Sequence, residues 1–214
     1  WAQYENVCPV AVVRCRTPAD VAGSLAVARR LELEVAPRGG GHCFAGRSAT
    51  GGLVIDLSPM SSVAESDGIA TVGAGARLGE IDERLATDVL AIPAGSCPAV
   101  GIAGLTLGGG LGILGRTYGL TSDQLVQAQV VLADGRVVEC DERREERLFW
   151  ALRGAGAGQF GVVTSFWFRT VPAPEMTCFR LLWPLAKAAD LLEVWQSCAP
   201  SAPDELAASL LLNV

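Results

Sequence analysis

Short apolar runs, broken by glycines and charged turns, set the order of elements along this chain. Residues 11–15 (Ala-Val-Val-Arg-Cys) read as a buried strand. Thr17-Pro18 then opens a helix, in which Asp20 completes a capping-box-like pattern and Val21, Leu25 and Ala28 recur on one face. A second strand over 33–36 runs into Pro37-Arg38-Gly39-Gly40-Gly41-His42, so the pattern predicts a βαβ unit ending in a glycine loop. Residues 52–57 form another short strand. Asp67-Gly68, between Val63 and the run 69–72, predicts a hairpin, and a helix over about 78–87 follows.

The stretch from Pro93 to Gly119 is too dense in glycine for an ordinary packed element and implies backbone lying close to something. Alternation over 125–140 around Asp134-Gly135 predicts a second hairpin. A charged helix over about 142–153 then leads through Gly154-Ala-Gly-Ala-Gly158 into a strand over 162–168. Pro172-Ala-Pro174 is the clearest linker. Beyond it, 178–183 reads as a strand, 185–197 as a helix and 206–214 as a strand that is still apolar where it stops. The expected division is a first domain over 1–171 and the truncated opening of a second over 172–214.

With 214 residues, half of them hydrophobic, the chain can bury a core as one large domain or two small ones. The net charge of -6, with no basic run longer than Arg143-Arg144, lacks the clustered positive charge that nucleic acid requires. No apolar run is long enough to cross a bilayer, so a membrane is not an expected partner. The chain opens at Trp1 with neither an initiator Met nor a charged-then-apolar leader, which reads as a trimmed or processed start. A bacterial cytoplasm is the favoured compartment and secretion the alternative. Seven cysteines without a C-x-x-C pair, and a single histidine, argue against a zinc site; the odd count leaves at least one thiol unpaired within the chain.

Consecutive N–H groups at Gly39, Gly40 and Gly41, beside the Arg38 cation, suit a diphosphate, although a structural glycine turn reads the same way. Two G-x-G-x-x-G matches, Gly110 to Gly115 and Gly156 to Gly161, lack the strand-before, helix-after order of a dinucleotide fingerprint. His42 is the chain's one histidine and directly follows the glycines. Cys97, in Pro93-Ala-Gly-Ser-Cys97-Pro98, could place a thiolate against a ligand lying on the glycine-rich run, the bland alternative being an ordinary free cysteine. Ser96 is not in G-x-S-x-G, so a serine hydrolase has no support within the chain.

Taken together, Pro37-Arg-Gly-Gly-Gly-His42, Gly51-Gly-Leu-Val-Ile-Asp-Leu57, Val100-Gly-Ile-Ala-Gly-Leu-Thr-Leu-Gly-Gly-Gly-Leu-Gly112 with Arg116, Gly119-Leu120 and Asp123, and Leu148-Phe-Trp-Ala-Leu-Arg-Gly154 through Gly158-Gln-Phe-Gly-Val-Val163 carry a resemblance. They resemble the FAD-binding domain of the vanillyl-alcohol oxidase and p-cresol methylhydroxylase (PCMH) superfamily, and within it the berberine bridge enzyme-like oxidases. The likeness runs from about Ala11 to Pro172. It implies an α+β chain: a PCMH-type FAD-binding domain of two α/β subdomains, followed by the start of an antiparallel-sheet substrate domain. It also implies that the flavin lies against Arg38, Gly39, Gly40, Gly41, His42 and Cys43 of the first motif. From the glycine-rich segment the implied contacts are Gly95, Ser96, Cys97, Val100, Gly101, Gly104, Leu107, Gly108, Gly109, Gly110 and Gly112, and from the last motif Gly158, Gly161, Val162 and Val163.

In that family the histidine bonds to the methyl carbon at flavin C8, which makes His42 the implied attachment point. Doubly tethered members carry Gly-x-Cys-x-x-Val-Gly, and Gly95-Ser-Cys97-Pro-Ala-Val-Gly101 fits, implying a second bond from Cys97 to flavin C6. The implied activity is hydride removal from an alcohol, sugar or natural-product substrate to flavin N5, with molecular oxygen then reduced to hydrogen peroxide. The implied substrates are sugars, glycoconjugates or polycyclic natural products. Alternatives are a dehydrogenase that passes electrons to another acceptor and a catalytically incomplete flavin-binding module. The family's usual base is a tyrosine of the later substrate domain; Tyr4 and Tyr118 fall outside any matching motif, so no catalytic residue is assigned. A second chain could supply the remaining substrate-domain strands.

Overall fold

The computed structural model describes residues 6–156 and 158–213. The chain begins with β1 (Ala11–Arg14), α1 (Pro18–Arg30), β2 (Val35–Arg38) and β3 (Leu53–Asp56). The three strands make a parallel sheet in the order β1-β3-β2. The expected βαβ unit is present, but its two strands are not neighbours: Leu53 of β3 aligns with Ala11 on one side and Val35 on the other. Leu53, Val54 and Ile55 are all buried, and an apolar run without alternation belongs in the middle of a sheet covered on both faces. The start of α1 is fixed as its sequence predicts. The Asp20 N–H donates to the Thr17 hydroxyl, and the Thr17 N–H donates back to the Asp20 carboxylate.

A five-stranded antiparallel sheet follows, in the order β4-β5-β9-β7-β8. Its strands are β4 (Val63–Ser66), β5 (Ile69–Gly73), β7 (Leu125–Val131), β8 (Val137–Asp141) and β9 (Val162–Arg169). Asp67 and Gly68 both hold positive φ, 55° and 80°, the pairing that a two-residue hairpin turn requires. Both expected hairpins form, and β9 slots between them, so residues distant in sequence close one sheet. Its buried aromatic positions meet aliphatic partners: Val72, Phe166 and Ala128 align across three strands, as do Ala70, Phe168 and Leu125. The rings of Phe166 and Phe168 stack with centroids 5.7 Å apart.

Between the hairpins run α2 (Leu78–Ala86), β6 (Leu90–Ala91), α3 (Ile102–Leu107), α4 (Gly115–Tyr118) and a 3-10 turn at Thr121–Gln124. After β8 comes α5 (Glu146–Leu152), shorter than the 142–153 helix the sequence predicts. The Asp141 carboxylate accepts the N–H groups of both Arg143 and Arg144, and this turn holds the chain out of helix until Glu146. Just past α2, Val89 holds a left-handed φ of 56° and is exposed. A β-branched residue is strained there, so Val89→Gly is expected to raise stability by about 1 kcal/mol, read from the urea midpoint.

The antiparallel pair β10 (Val171–Pro172) and β6 ties the end of this body to α2, and the Ala173 N–H donates to the Val89 carbonyl. Beyond it α6 (Ala188–Cys198) forms, led by a 3-10 turn at Leu185–Lys187. The strands expected at 178–183 and 206–214 do not form among the described residues. A strand exists only against a paired edge, and no edge within the described residues meets these segments; Phe179, Leu181 and Leu182 stand exposed instead. Tyr4 and Val214 lie outside the described residues. No described helix is long and apolar enough to cross a membrane.

Candidate functional site

Arg38 is the last residue of β2, so the three glycines begin where the strand ends. Its carbonyl accepts the Leu57 N–H at 2.9 Å and its Nε donates to the Ser48 carbonyl at 2.8 Å. The guanidinium therefore shapes the 43–50 loop as well as lending charge beside the glycines. Gly41, at φ 71°, turns the chain over the Arg38 side chain and delivers His42 and Cys43, both half-buried.

The decisive contact is between two glycines. A methyl group on Gly40 would lie 2.3 Å from the Gly101 nitrogen, and one on Gly101 would lie 2.2 Å from the Gly40 nitrogen. Two backbones thus touch with no side chain between them, which only glycine allows. Gly101 ends the loop that carries Cys97, so this contact sets the His42 loop beside the Cys97 loop. Within the second loop the Val100 N–H donates to the Cys97 carbonyl. The loop is fastened to α2 by the Leu78 and Gly79 N–H groups, which donate to the Val100 and Pro98 carbonyls. Gly95 lies against the side chains of Leu78 and Leu105, while Ser96 and Cys97 are exposed at the tip.

Behind Gly101, α3 buries Ile102, Ala103, Thr106 and Leu107 and turns Gly104 and Gly108 outward. A methyl group at Gly104 would meet nothing within 4 Å, so protein packing gives no reason for glycine there. Gly109 and Gly110 hold positive φ, and Gly112 presses on the Cys97 loop so closely that a methyl group would lie 1.6 Å from the Ala94 carbonyl. The last motif joins the same place. The Gly156 N–H donates to the Leu107 carbonyl at 2.7 Å, and Gly158, at φ 75°, faces Pro37. Gly161, at φ 144°, fits where a methyl group would strike Val130, and Val162 and Val163 place their side chains in the core. Leu107 likewise points into the core, so these three apolar residues can offer a ligand only main chain.

Four segments that are far apart in sequence therefore converge on one bare-backbone cradle: 38–42, 95–101, 104–112 and, in the last motif, 156 with 158–161. Its chemistry suits a flat, polar-edged dinucleotide. N–H groups at the glycine turn can meet phosphate oxygens, and the uncovered Gly104–Gly108 face admits a ring at van der Waals distance. The cysteines also sort themselves. Cys15 and Cys140 are buried, and burial pushes the Cys140 thiol up to about 11, so neither ionises near neutral pH. Cys97 is exposed at the cradle. No cluster of three or more metal-ligating side chains occurs among the described residues.

Neither G-x-G-x-x-G match has a strand before it and a helix after it: the first follows α3, and the second runs from α5 into β9. Asp123 has a structural task, since its carboxylate accepts the Leu120 N–H and fills the space a side chain at Gly119 would need. What the sequence does not disclose is the main-chain part of the cradle wall, namely the Ala74, Ala94 and Ala99 carbonyls that press on Gly39, Gly112 and Gly40. Alanine main chain leaves no signature in a sequence.

Comparison with known proteins places this chain in a family. Residues 9–141 match the family model described as FAD binding domain. The chain is 36% identical over 211 residues to the uncharacterized FAD-linked oxidoreductase YvdP of Bacillus subtilis (strain 168), covering 96% of this chain and 47% of that protein. It is also 36% identical over 216 residues to Berberine bridge enzyme-like 23 of Arabidopsis thaliana, covering 96% of this chain and 41% of that protein. The solved glucooligosaccharide oxidase of Acremonium strictum, described with a 6-S-cysteinyl, 8α-N1-histidyl FAD, superposes with a TM-score of 0.81 at 34% identity, over 93% of this chain and 44% of that one. The chain thus spans less than half the length of the curated relatives it matches. With its four glycine-bearing segments and its three-stranded parallel and five-stranded antiparallel sheets, the chain belongs to the FAD-binding domain family of FAD-linked oxidoreductases, the group that includes the berberine bridge enzyme-like proteins.

Proposed function

We propose that this chain is the flavin-holding portion of an oxidase, extending over residues 1–171, whose FAD is bonded through His42 and, at a second point, through Cys97. The observation that carries this reading is the Gly40–Gly101 backbone contact. It sets His42, two residues past Gly40, beside the loop in which Cys97 precedes Gly101 by four residues. The Val100 N–H bond to the Cys97 carbonyl folds the second loop back toward this contact, which supports both side chains facing one ring system. The exposure of Cys97 and the bare Gly104–Gly108 face support the same placement. The doubly bonded flavin of glucooligosaccharide oxidase supports it by analogy.

When bound, the flavin supplies the redox chemistry, accepting a hydride equivalent from a substrate carbon and giving the electrons to molecular oxygen, which leaves as hydrogen peroxide. The chain's own residues hold and orient it. The Gly39–Gly41 N–H groups meet the diphosphate, Arg38 keeps the 43–50 loop in place, and two bonds would fix the ring without walls around it. An open site of that kind suits a bulky small molecule, and a sugar or oligosaccharide alcohol is the proposed substrate class. Residues 172–214 are proposed as the opening of the substrate domain, and no residue of this chain is assigned as the catalytic base.

Intact mass of the denatured protein tests the tethers. The unsubstituted protein is expected to keep one FAD mass after unfolding, as are His42→Ala and Cys97→Ala singly, while the double variant loses it. An unsubstituted protein with no adduct would sink the covalent reading, and loss in Cys97→Ala alone would assign the only bond to Cys97.

A further inference from the structure

Arg116 lies on α4, four residues past Gly112, and its guanidinium spans the chain to residues far beyond the linker. Nη1 donates to the Ala199 carbonyl at 2.8 Å, and Nη2 donates to the Ala202 carbonyl at 2.6 Å and the Pro200 carbonyl at 3.4 Å. The neighbouring Thr117 hydroxyl donates to the Asp204 carbonyl at 2.9 Å. Ala199 is the C-cap of α6, so a cation stands where the helix's unpaired carbonyls and its dipole both favour one. Three carbonyls gathered by a single planar fork also fix direction, because the guanidinium donors cannot swivel independently.

The other side of α4 is equally constrained. The Gly115 N–H donates to the Gly112 carbonyl, and Gly112 is pressed against the Ala94 carbonyl, three residues before Cys97. Gly119, at φ 81°, closes α4 against the Asp123 carboxylate. An unbroken line of close contacts therefore leads from the turn after α6, through Arg116 and α4, to the loop that carries Cys97. Apart from the linker, α6 has little else to hold it: it has no fully buried residue, and only Ala188, Leu191, Trp195 and the cap Ala199 are half-covered.

We propose that Arg116 is a positioning residue that couples the 188–204 segment to the Cys97 loop, so that the segment following the linker and the second flavin tether are held in one register. The functional half of this proposal rests on the reading of the Cys97 loop as flavin-bearing; the mechanical half does not. Hydrogen exchange followed by mass spectrometry on the full chain separates them. In Arg116→Ala, peptides covering 188–204 and also those covering 93–101 are expected to exchange about tenfold faster, with β5, β7 and β9 unchanged. Thr117→Val, which removes one hydrogen bond, is expected to shift both regions in the same direction by about twofold. Arg116→Gln keeps an amide donor at lower reach and no charge, and it serves as the gentler variant if the alanine protein does not fold; it is expected to fall between.

Unchanged exchange over 188–204 in Arg116→Ala would show that the fork does not hold the segment. A change confined to 188–204, with 93–101 unaffected, would reduce Arg116 to a local cap on α6 and overturn the coupling. If both regions respond but the denatured protein carries no FAD mass, the coupling stands and the tether reading fails, so the two claims fall separately.

Discussion

Gly101→Ala is expected to lower stability by about 3 kcal/mol and to abolish retention of FAD mass after denaturation. The added methyl group would lie 2.2 Å from the Gly40 nitrogen and 2.9 Å from its Cα. Both are backbone atoms, so no rotamer change can relieve the clash and the two loops must separate. Separation acts on both proposed tethers at once, because the His42 loop and the Cys97 loop lie on opposite sides of this contact. Gly104→Ala is the control. Its methyl group meets no protein atom within 4 Å and alanine is the better helix former, so the folded protein should be at least as stable as the parent while flavin retention falls. Urea unfolding and denatured mass read the two effects independently. If Gly101→Ala unfolded at the parental midpoint and kept its FAD, the backbone contact would not be what joins the loops.

Phe166→Ala is expected to cost about 3–5 kcal/mol, the usual range for removing a large aromatic from a rigid core. Phe166 is fully buried on β9, the central strand of the five-stranded sheet, between Val72 and Ala128 and stacked on Phe168. Those neighbours belong to both hairpins, so the cavity would open where the two halves of the sheet join and could not be closed by a shift of one of them. Trp150→Ala gives the contrast. The indole is 73% exposed on α5, and its removal should change stability by no more than about 0.5 kcal/mol. Equal midpoints for the two variants would place the core elsewhere.

Much of the cradle was legible because its chemistry is carried by residue types with narrow uses. Three glycines before the single histidine, and a cysteine in Gly95-Ser-Cys97-Pro-Ala-Val-Gly101, read as a flavin site through the family resemblance they carry; by themselves a structural glycine turn and a free cysteine read the same way. The hairpins were legible too: Asp67-Gly68 and Asp134-Gly135 are turn pairs, and the structure holds both glycines at positive φ. Less legible was where strands end. β2 reaches Arg38, because the Leu57 N–H continues the ladder to its carbonyl, and that bond depends on a strand fifteen or more residues away.

The sequence by itself determined the local rules of this protein: the capped start of α1, the two hairpin turns, the apolar run of β3 and the glycines that admit close backbone approach. These follow from dihedral preference and hydrogen bonding within a few residues, which a sequence records directly. Only the tertiary structure decided that β3 lies between β1 and β2, that β9 joins the two hairpins, and that Gly40 meets Gly101. It also decided that 178–183 and 206–213 stay out of any strand among the described residues, despite strand-like composition. Pairing across a sheet, and contact between two bare backbones, depend on a partner's position, and no residue's own identity encodes that.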